Sequence, residues 1–138
     1  MNIPGLSIDP DDQQLPWKET RVPGVHWLPL HLDPAPKELE TGASSKRAGA
    51  SVLIRMAPGS SYGAHRHLGS EDVLVLRGGY RDEVGEYQCG EFVHYPPGSE
   101  HRPVALGHSD QPEGPRNPAC VLFAVASDGI ELLERDES

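Results

Sequence analysis

An all-β fold, a sandwich or barrel of many short strands, is what this amino-acid sequence predicts. Three observations carry the prediction. Gly and Pro account for 15 and 14 of the 138 residues, about a fifth of the chain against roughly 12 percent in average usage. Each interrupts a helix interior, so a helical bundle is excluded, whereas tight turns between strands use both. Apolar residues then come in short runs, such as Ser51-Val52-Leu53-Ile54, Val73-Leu74-Val75-Leu76 and Cys120-Val121-Leu122-Phe123. Turn signals separate these runs about every 8–12 residues, the spacing of a sandwich or barrel. A chain of this length buries one hydrophobic core.

The elements follow in order. Residues 1–20 are polar, acidic and Pro-bearing, with a turn at Asp9-Pro10-Asp11-Asp12, and read as an extended arm that Leu15 and Trp17 tie to a surface. Val25 to Leu32 alternates with period two and is a strand that Pro29 confines to a sheet edge. Asp33 to Gly49 is a polar loop with at most one helical turn at Lys37-Glu38-Leu39-Glu40. Ala50 to Met56 is a strand, Pro58-Gly59 a turn, and Tyr62 to His67 an extended segment. Asp72 to Arg77 is a strand ended by Gly78-Gly79. Tyr80 to Glu83 and Glu86 to Gln88 form a hairpin about Val84-Gly85. Phe92 to Tyr95 is a strand, Pro96-Pro97-Gly98 a turn, and His101 to Leu106 a further strand. Gly107 to Pro118 lacks periodicity and is a long loop. Cys120 to Ala126 is a strand, and Gly129 to Leu133 a last short one.

Charge and cysteine usage narrow the function classes. Lys and Arg number 12 against 21 Asp and Glu, a net charge of −9. Such a chain repels phosphate backbones, so no nucleic-acid partner is expected. No run approaches the ~20 apolar residues of a membrane span, and the N-terminus lacks a basic region followed by an apolar run, so neither membrane nor export is expected. Two cysteines, Cys89 and Cys120, make no disulfide framework, which points to a cytoplasmic protein.

Histidine is the informative residue type. His65 and His67 lie two apart on an extended segment, where side chains at i and i+2 share a face. A turn through Gly69-Ser70 returns Glu71 beside them, and His101 can join as a fourth ligand if the strands close into a barrel. Three neutral imidazoles and a carboxylate suit one divalent transition metal per chain: Zn, Fe, Ni or Mn, with Fe or Zn favoured. Four protein ligands leave open positions for a substrate or dioxygen. A His pair on a strand is, against this, more often a packing pair than a ligand pair.

Other residues have plainer readings. Cys120 opens an apolar strand and reads as a buried hydrophobe, while Cys89, at a turn, is semi-exposed. Tyr62, Arg77, Phe92, Tyr95 and Phe123 are candidates to line the barrel. Arg55 and Arg77 are expected at exposed edge positions. His94 is a candidate to support a ligand, and His26, His31 and His108 are expected in solvent.

The spacing of these residues resembles the cupin superfamily. Gly59, His65, His67, Glu71 and Gly78 match its first motif (59–78) at every fixed position. Gly90, Pro96, Gly98 and His101 match the second (90–105), whose terminal Asn is Ala105 here. The strings His65-Arg66-His67-Leu68-Gly69-Ser70-Glu71, Tyr80-Arg81-Asp82-Glu83 and Tyr95-Pro96-Pro97-Gly98-Ser99-Glu100-His101 are similar to the ChrR-type cupin branch, which includes anti-sigma cupin halves and borders on acetylacetone-dioxygenase-like small cupins. The likeness covers about residues 48–126. It implies a double-stranded β-helix, the cupin jelly-roll barrel, as a single domain over residues 21–138, commonly a homodimer. It also implies metal ligands at His65, His67, Glu71 and His101, and barrel corners at Gly59, Gly78, Gly90 and Gly98, where a positive φ or a close approach is needed. Pro96 fixes the turn that aims His101 inward.

The resemblance implies a non-haem Fe(II)-type dioxygenase acting on a small diketone-like or chelating substrate. A ligand-sensing or regulatory metal cupin without catalysis is the alternative, and a redox-inert isomerase or hydrolase a third. The first 47 residues hold no cysteine and no amphipathic helix, unlike the anti-sigma zinc domain, so sigma-factor binding of that kind is not expected. The loop Gly107 to Pro118 is longer than usual and is expected to cover the barrel mouth or to reach a partner subunit.

Overall fold

The computed structural model describes residues 15–33 and 49–133. The turn expected at Asp9–Asp12 and the helical turn at Lys37–Glu40 lie outside the described residues. Among the described residues twelve strands run in chain order: β1 (Lys18–Glu19), β2 (Val25–Leu32), β3 (Ala50–Met56), β4 (His65–His67), β5 (Glu71–Arg77), β6 (Gly79–Arg81), β7 (Glu86–Gln88), β8 (Phe92–Tyr95), β9 (Glu100–His101), β10 (Val104–Ala105), β11 (Cys120–Ala126) and β12 (Ile130–Leu132). The described residues contain no helix, and thus none long and apolar enough to cross a membrane.

All strand pairings are antiparallel. One six-stranded sheet has the order β1-β2-β3-β11-β5-β8, and two three-stranded sheets have the orders β10-β6-β7 and β12-β4-β9. The all-β jelly-roll expectation holds. Period-two alternation decides which side chains enter the core: on β5, Glu71, Val73 and Val75 are buried while Asp72 and Leu74 face out. Val73, Val75, Met56, Leu122, Ala124, Tyr80 and Tyr95 belong to one core cluster. Leu28, Leu53 and Val121, also buried, stand outside that cluster, so the middle strands β3 and β11 carry buried residues on both faces.

Proline positions explain two departures from regular pairing. Pro29 has no N–H to give to a ladder, and the β2–β3 register shifts between Pro29 and His31. β1 pairs with β2 only at Trp27 and His26, so β2 is second from the edge in its first half and has no described neighbour beyond it at Pro29. The single strand expected over His101 to Leu106 is instead broken at Arg102-Pro103. The first piece, β9, pairs with β4, and the second, β10, pairs with β6. The break lets one chain segment change sheets, which turns His101 toward β4.

All four motif glycines expected at corners have positive φ: Gly59 at 80°, Gly78 at 64°, Gly90 at 92° and Gly98 at 85°. Gly78 is the most constrained, since a Cβ there would lie 2.6 Å from the Ala119 carbonyl oxygen.

Arg55 corrects the expectation of an exposed edge position. It stands on β3, between β2 and β11, with its side chain 13% exposed and ion-paired to Glu113. That pair ties the 107–118 loop to the sheet. The loop is organised by buried Asn117, whose Oδ1 accepts from His108 N and whose Nδ2 donates to the carbonyls of His108, Gln111 and Pro112.

Candidate metal centre

Three strand ends meet at one point. His65 and His67 project from β4, and His65 lies directly opposite His101 of β9 in the antiparallel register. Glu71 opens β5 and lies opposite Tyr95 of β8. His65, His67 and His101 each offer one ligand nitrogen within 4.8 Å of the other two, and all three are buried. They could hold a metal ion between them. Glu71 approaches from one side, with Oε1 2.7 Å from His67 Nε2, and is not part of that tightest group.

Each imidazole is held from behind through Nδ1. His65 Nδ1 donates to the Gly63 carbonyl at 3.0 Å. His67 Nδ1 is 3.0 Å from Ser99 Oγ and 3.2 Å from the Ser99 carbonyl. The Ser99 hydroxyl donates to the Pro96 carbonyl, so its oxygen is free to accept. His101 Nδ1 donates to Asp82 Oδ2 at 2.8 Å. With the Nδ1 protons committed outward, the Nε2 lone pairs point inward, the arrangement that metal-binding histidines require.

This donor set fits a cation. His65 Nε2 and His101 Nε2 stand 3.0 Å apart, two acceptors facing each other with no proton between them once both Nδ1 positions are protonated. Nitrogens about 2.1 Å from a shared ion stand about 3.0–3.4 Å apart. His67 Nε2 is fully buried and makes no hydrogen bond, although Glu71 Oε1 lies 2.7 Å from it. A proton would be a poor substitute for a metal: burial, chiefly, pushes the His65 pKa down to about 3, and burial also lowers that of His101 against the pull of Asp82.

Asp82 is a supporting residue that the motif reading left without a role. Its side chain is fully buried. Oδ1 accepts from Val84 N, Gly85 N and the Tyr87 hydroxyl, and Oδ2 from the Tyr95 hydroxyl and His101 Nδ1. Burial alone would raise its pKa, but the donors, His101 foremost, hold it below the ordinary carboxylate value. Tyr80 extends the chain by bonding Tyr95 through their hydroxyls. Burial raises the pKa of both tyrosines, which keeps them protonated donors. The Tyr95 ring also stacks on His67 at 4.8 Å and packs against His101 at 4.3 Å.

A small cavity of about 40 Å³ opens over His65 and His101, lined by Tyr62, Val73, Met56, Leu122, Pro103 and Ile130 among others. Its wall is mostly apolar, and Tyr62 sits edge-on to His65. Tyr62 and Tyr95 line it as expected, while Phe92, 63% exposed, and Phe123 do not. No residue of the 107–118 loop lines it, so the loop does not cover this mouth. His94 is likewise remote from it and pairs with exposed Asp72 at 2.7 Å. His31 and His108 are exposed as expected, but His26 is half-buried, with Nδ1 shielded and unpartnered. Cys120 is buried, its thiol pushed up to about 12 by burial, and Cys89 is exposed.

Comparison with known proteins agrees with this architecture. The family model described as ChrR Cupin-like domain matches residues 8–111. Among solved structures, a chain of the Rhodobacter sphaeroides complex of SigE with the anti-sigma ChrR is 26% identical, with a TM-score of 0.58 over 82% of this chain and 49% of that one. The present chain thus spans about half the length of that relative. An acetylacetone dioxygenase from Acinetobacter johnsonii is 13% identical, with a TM-score of 0.58 over 80% and 64% of the two chains. The polyketide cyclase RemF from Streptomyces resistomycificus is 17% identical, with a TM-score of 0.60 over 96% and 89%. The last two share the fold with this chain. No curated protein matches the sequence.

Proposed function

This chain belongs to the ChrR cupin-like family, and we propose that it is a metal-dependent small cupin in which His65, His67, Glu71 and His101 hold one divalent transition metal, Fe or Zn. Its reaction is of the non-haem dioxygenase type on a small diketone-like or otherwise chelating organic substrate. One observation carries the reading: three buried Nε2 atoms converge while every Nδ1 is engaged behind them.

When bound, the metal supplies Lewis acidity, a template for two substrate oxygens and, as iron, electrons for dioxygen. The chain's own residues do the rest. Gly63, Ser99 and Asp82 hold the imidazoles in the ligating tautomer. Glu71 places a negative charge beside His67, which offsets part of the charge of a divalent ion. Tyr62, Val73, Leu122 and Ile130 give the cavity an apolar wall, which excludes water and favours a compact organic ligand with few polar atoms.

The experiment is metal analysis of protein purified without added metal, followed by oxygen uptake with acetylacetone on the Fe(II)-loaded form. Bound metal near one per chain and substrate-dependent uptake are expected. Zn as resident metal with no turnover of any diketone overturns the oxygenase reading. It favours a metal-bound ligand-sensing module, which the 26% identity to a chain of the SigE–ChrR complex supports.

A further inference from the structure

Asp82 sits behind His101 in a way that leaves it one electrostatic orientation. The β6–β7 turn aims two backbone N–H groups, Val84 N at 2.9 Å and Gly85 N at 3.2 Å, at Oδ1. The Tyr87 hydroxyl adds a third donor to the same oxygen at 3.2 Å. Backbone N–H groups can only donate, so the Oδ1 position must be an acceptor. Oδ2 receives His101 Nδ1 at 2.8 Å and the Tyr95 hydroxyl at 3.0 Å. Tyr95 can donate there because the Tyr80 hydroxyl bonds to its oxygen.

The geometry points to Asp82 as the positioning residue that sets the tautomer of His101, and thereby the number of lone pairs the cluster presents to a cation. This inference rests on the metal-binding reading above. The β6–β7 turn, which lies between the two histidine motifs and belongs to neither, is thus a working part of the centre. A carboxylate at this position accepts on both oxygens, so it holds the proton on Nδ1 and leaves Nε2 free to ligate. The nearly isosteric amide cannot do both. In Asp82→Asn the turn's two N–H groups draw the amide carbonyl to the Oδ1 position. The amino group then occupies the Oδ2 position and donates toward His101 Nδ1. That nitrogen must accept, its proton moves to Nε2, and the Nε2–H points into the cluster in place of a lone pair. Tyr95 adjusts by accepting from the amide and donating to Tyr80. Nothing need unfold.

The inference inverts the usual ranking of substitutions. A purely structural role makes Asp82→Ala, which abandons five hydrogen bonds, worse than Asp82→Asn. A tautomer-setting role makes Asp82→Asn the worse metal binder, because Ala imposes no tautomer on His101 whereas Asn imposes the wrong one.

Two measurements on the full chain test it. Histidine 15N chemical shifts of the metal-free protein, in buffer alkaline enough to keep imidazoles neutral, should show His101 protonated on Nδ1 in the wild type and on Nε2 in Asp82→Asn, with His65 and His67 unchanged. Titration with Zn(II) and Co(II), followed through the Co(II) visible spectrum, should show affinity reduced about 10–100-fold in Asp82→Asn, more than in Asp82→Ala. His101 protonated on Nδ1 in Asp82→Asn, or Zn(II) affinity equal to wild type, overturns the inference. Should Asp82→Ala fail to fold, the tautomer comparison between wild type and Asp82→Asn decides alone. A wild-type protein that binds neither metal sinks the metal-binding reading instead, and the 15N shifts of the metal-free protein still report separately on Asp82.

Discussion

His65 and His101 face each other across the β4–β9 ladder with their Nε2 atoms 3.0 Å apart, while Gly63 and Asp82 hold the opposite nitrogen of each ring. Two lone pairs that close repel unless a positive charge lies between them. The proposed metal relieves this repulsion, so removing either ring should remove the metal. His65→Ala and His101→Ala are expected to purify with well under one metal per chain and to stay folded by circular dichroism, since loss of a facing imidazole relieves lone-pair repulsion in the apo state. Elemental analysis beside the wild type checks this, and full metal stoichiometry in His65→Ala contradicts the ligand assignment.

The same cluster makes the metal-free fold sensitive to acid. The His65 pKa is depressed from 6.5 to about 3 in the fold, mainly by burial, with His101 and His67 beside it adding to the depression; that of His101 is also lowered, although Asp82 and Glu71 oppose the shift. The unfolded chain therefore binds protons near pH 6.5 that the folded chain refuses. Stability is complete above that pH and falls progressively as pH drops toward 3, by at most about 1.4 kcal/mol per pH unit for each such histidine. Asp82, whose pKa is lowered in the fold, adds a loss of the same sign below the ordinary carboxylate range. Urea midpoints of chelator-treated protein between about pH 8 and 4.5, roughly the titration range of free histidine, should fall on the acid side and be flat on the alkaline side. A midpoint that rises with acidification is incompatible with neutral buried imidazoles.

Much of this was legible locally. β2, β3, β8 and β11 coincide with apolar runs bounded by Gly, Pro or polar turns, because period-two alternation and turn chemistry are properties of adjacent residues. The spacing put His65 and His67 on one face and offered His101 and Glu71 beside them, and the structure brings the three histidines together. Asp82 was not: an acidic residue next to a Gly-bearing turn reads as turn chemistry, and its Oδ1 does serve the turn. Its bond to His101 depends on how the β9–β10 segment is brought beside β6 through the β10–β6 pairing, which no local period encodes. Arg55 was misplaced for the same reason, since the rank of β3 in the sheet is set by β11, more than sixty residues away. Pro103 did carry a signal, as a proline inside an expected strand argues for a break.

Gly78 and Gly90 separate two kinds of glycine requirement. Both have positive φ, but a Cβ at Gly78 meets the Ala119 carbonyl oxygen at 2.6 Å, whereas one at Gly90 meets nothing within 4 Å. Gly90→Ala should cost only the backbone term of about 1–2 kcal/mol. Gly78→Ala should cost more, because the obstruction is backbone of the neighbouring strand region and not a flexible side chain. Thermal melts of the two variants check the order, and equal melting temperatures would place the Gly78 turn elsewhere than beside Ala119.

The 107–118 loop is predicted to matter for stability and not for the metal. Asn117 is 5% exposed, and its side-chain amide bonds His108, Gln111 and Pro112 beside the loop's own backbone bonds from Gln111 to His108 and between Gly114 and Asn117. Truncation leaves His108 N–H and at least one carbonyl without a partner under partial burial, a cost of about 1–3 kcal/mol. None of these groups touches the cavity over the histidines. Asn117→Ala is therefore expected to lower the melting temperature by several degrees while binding Zn(II) with wild-type stoichiometry and affinity. A variant that melts normally but loses metal would mean that this loop reaches the centre, against the geometry that ties it to Arg55 on the opposite side of β3 through Glu113.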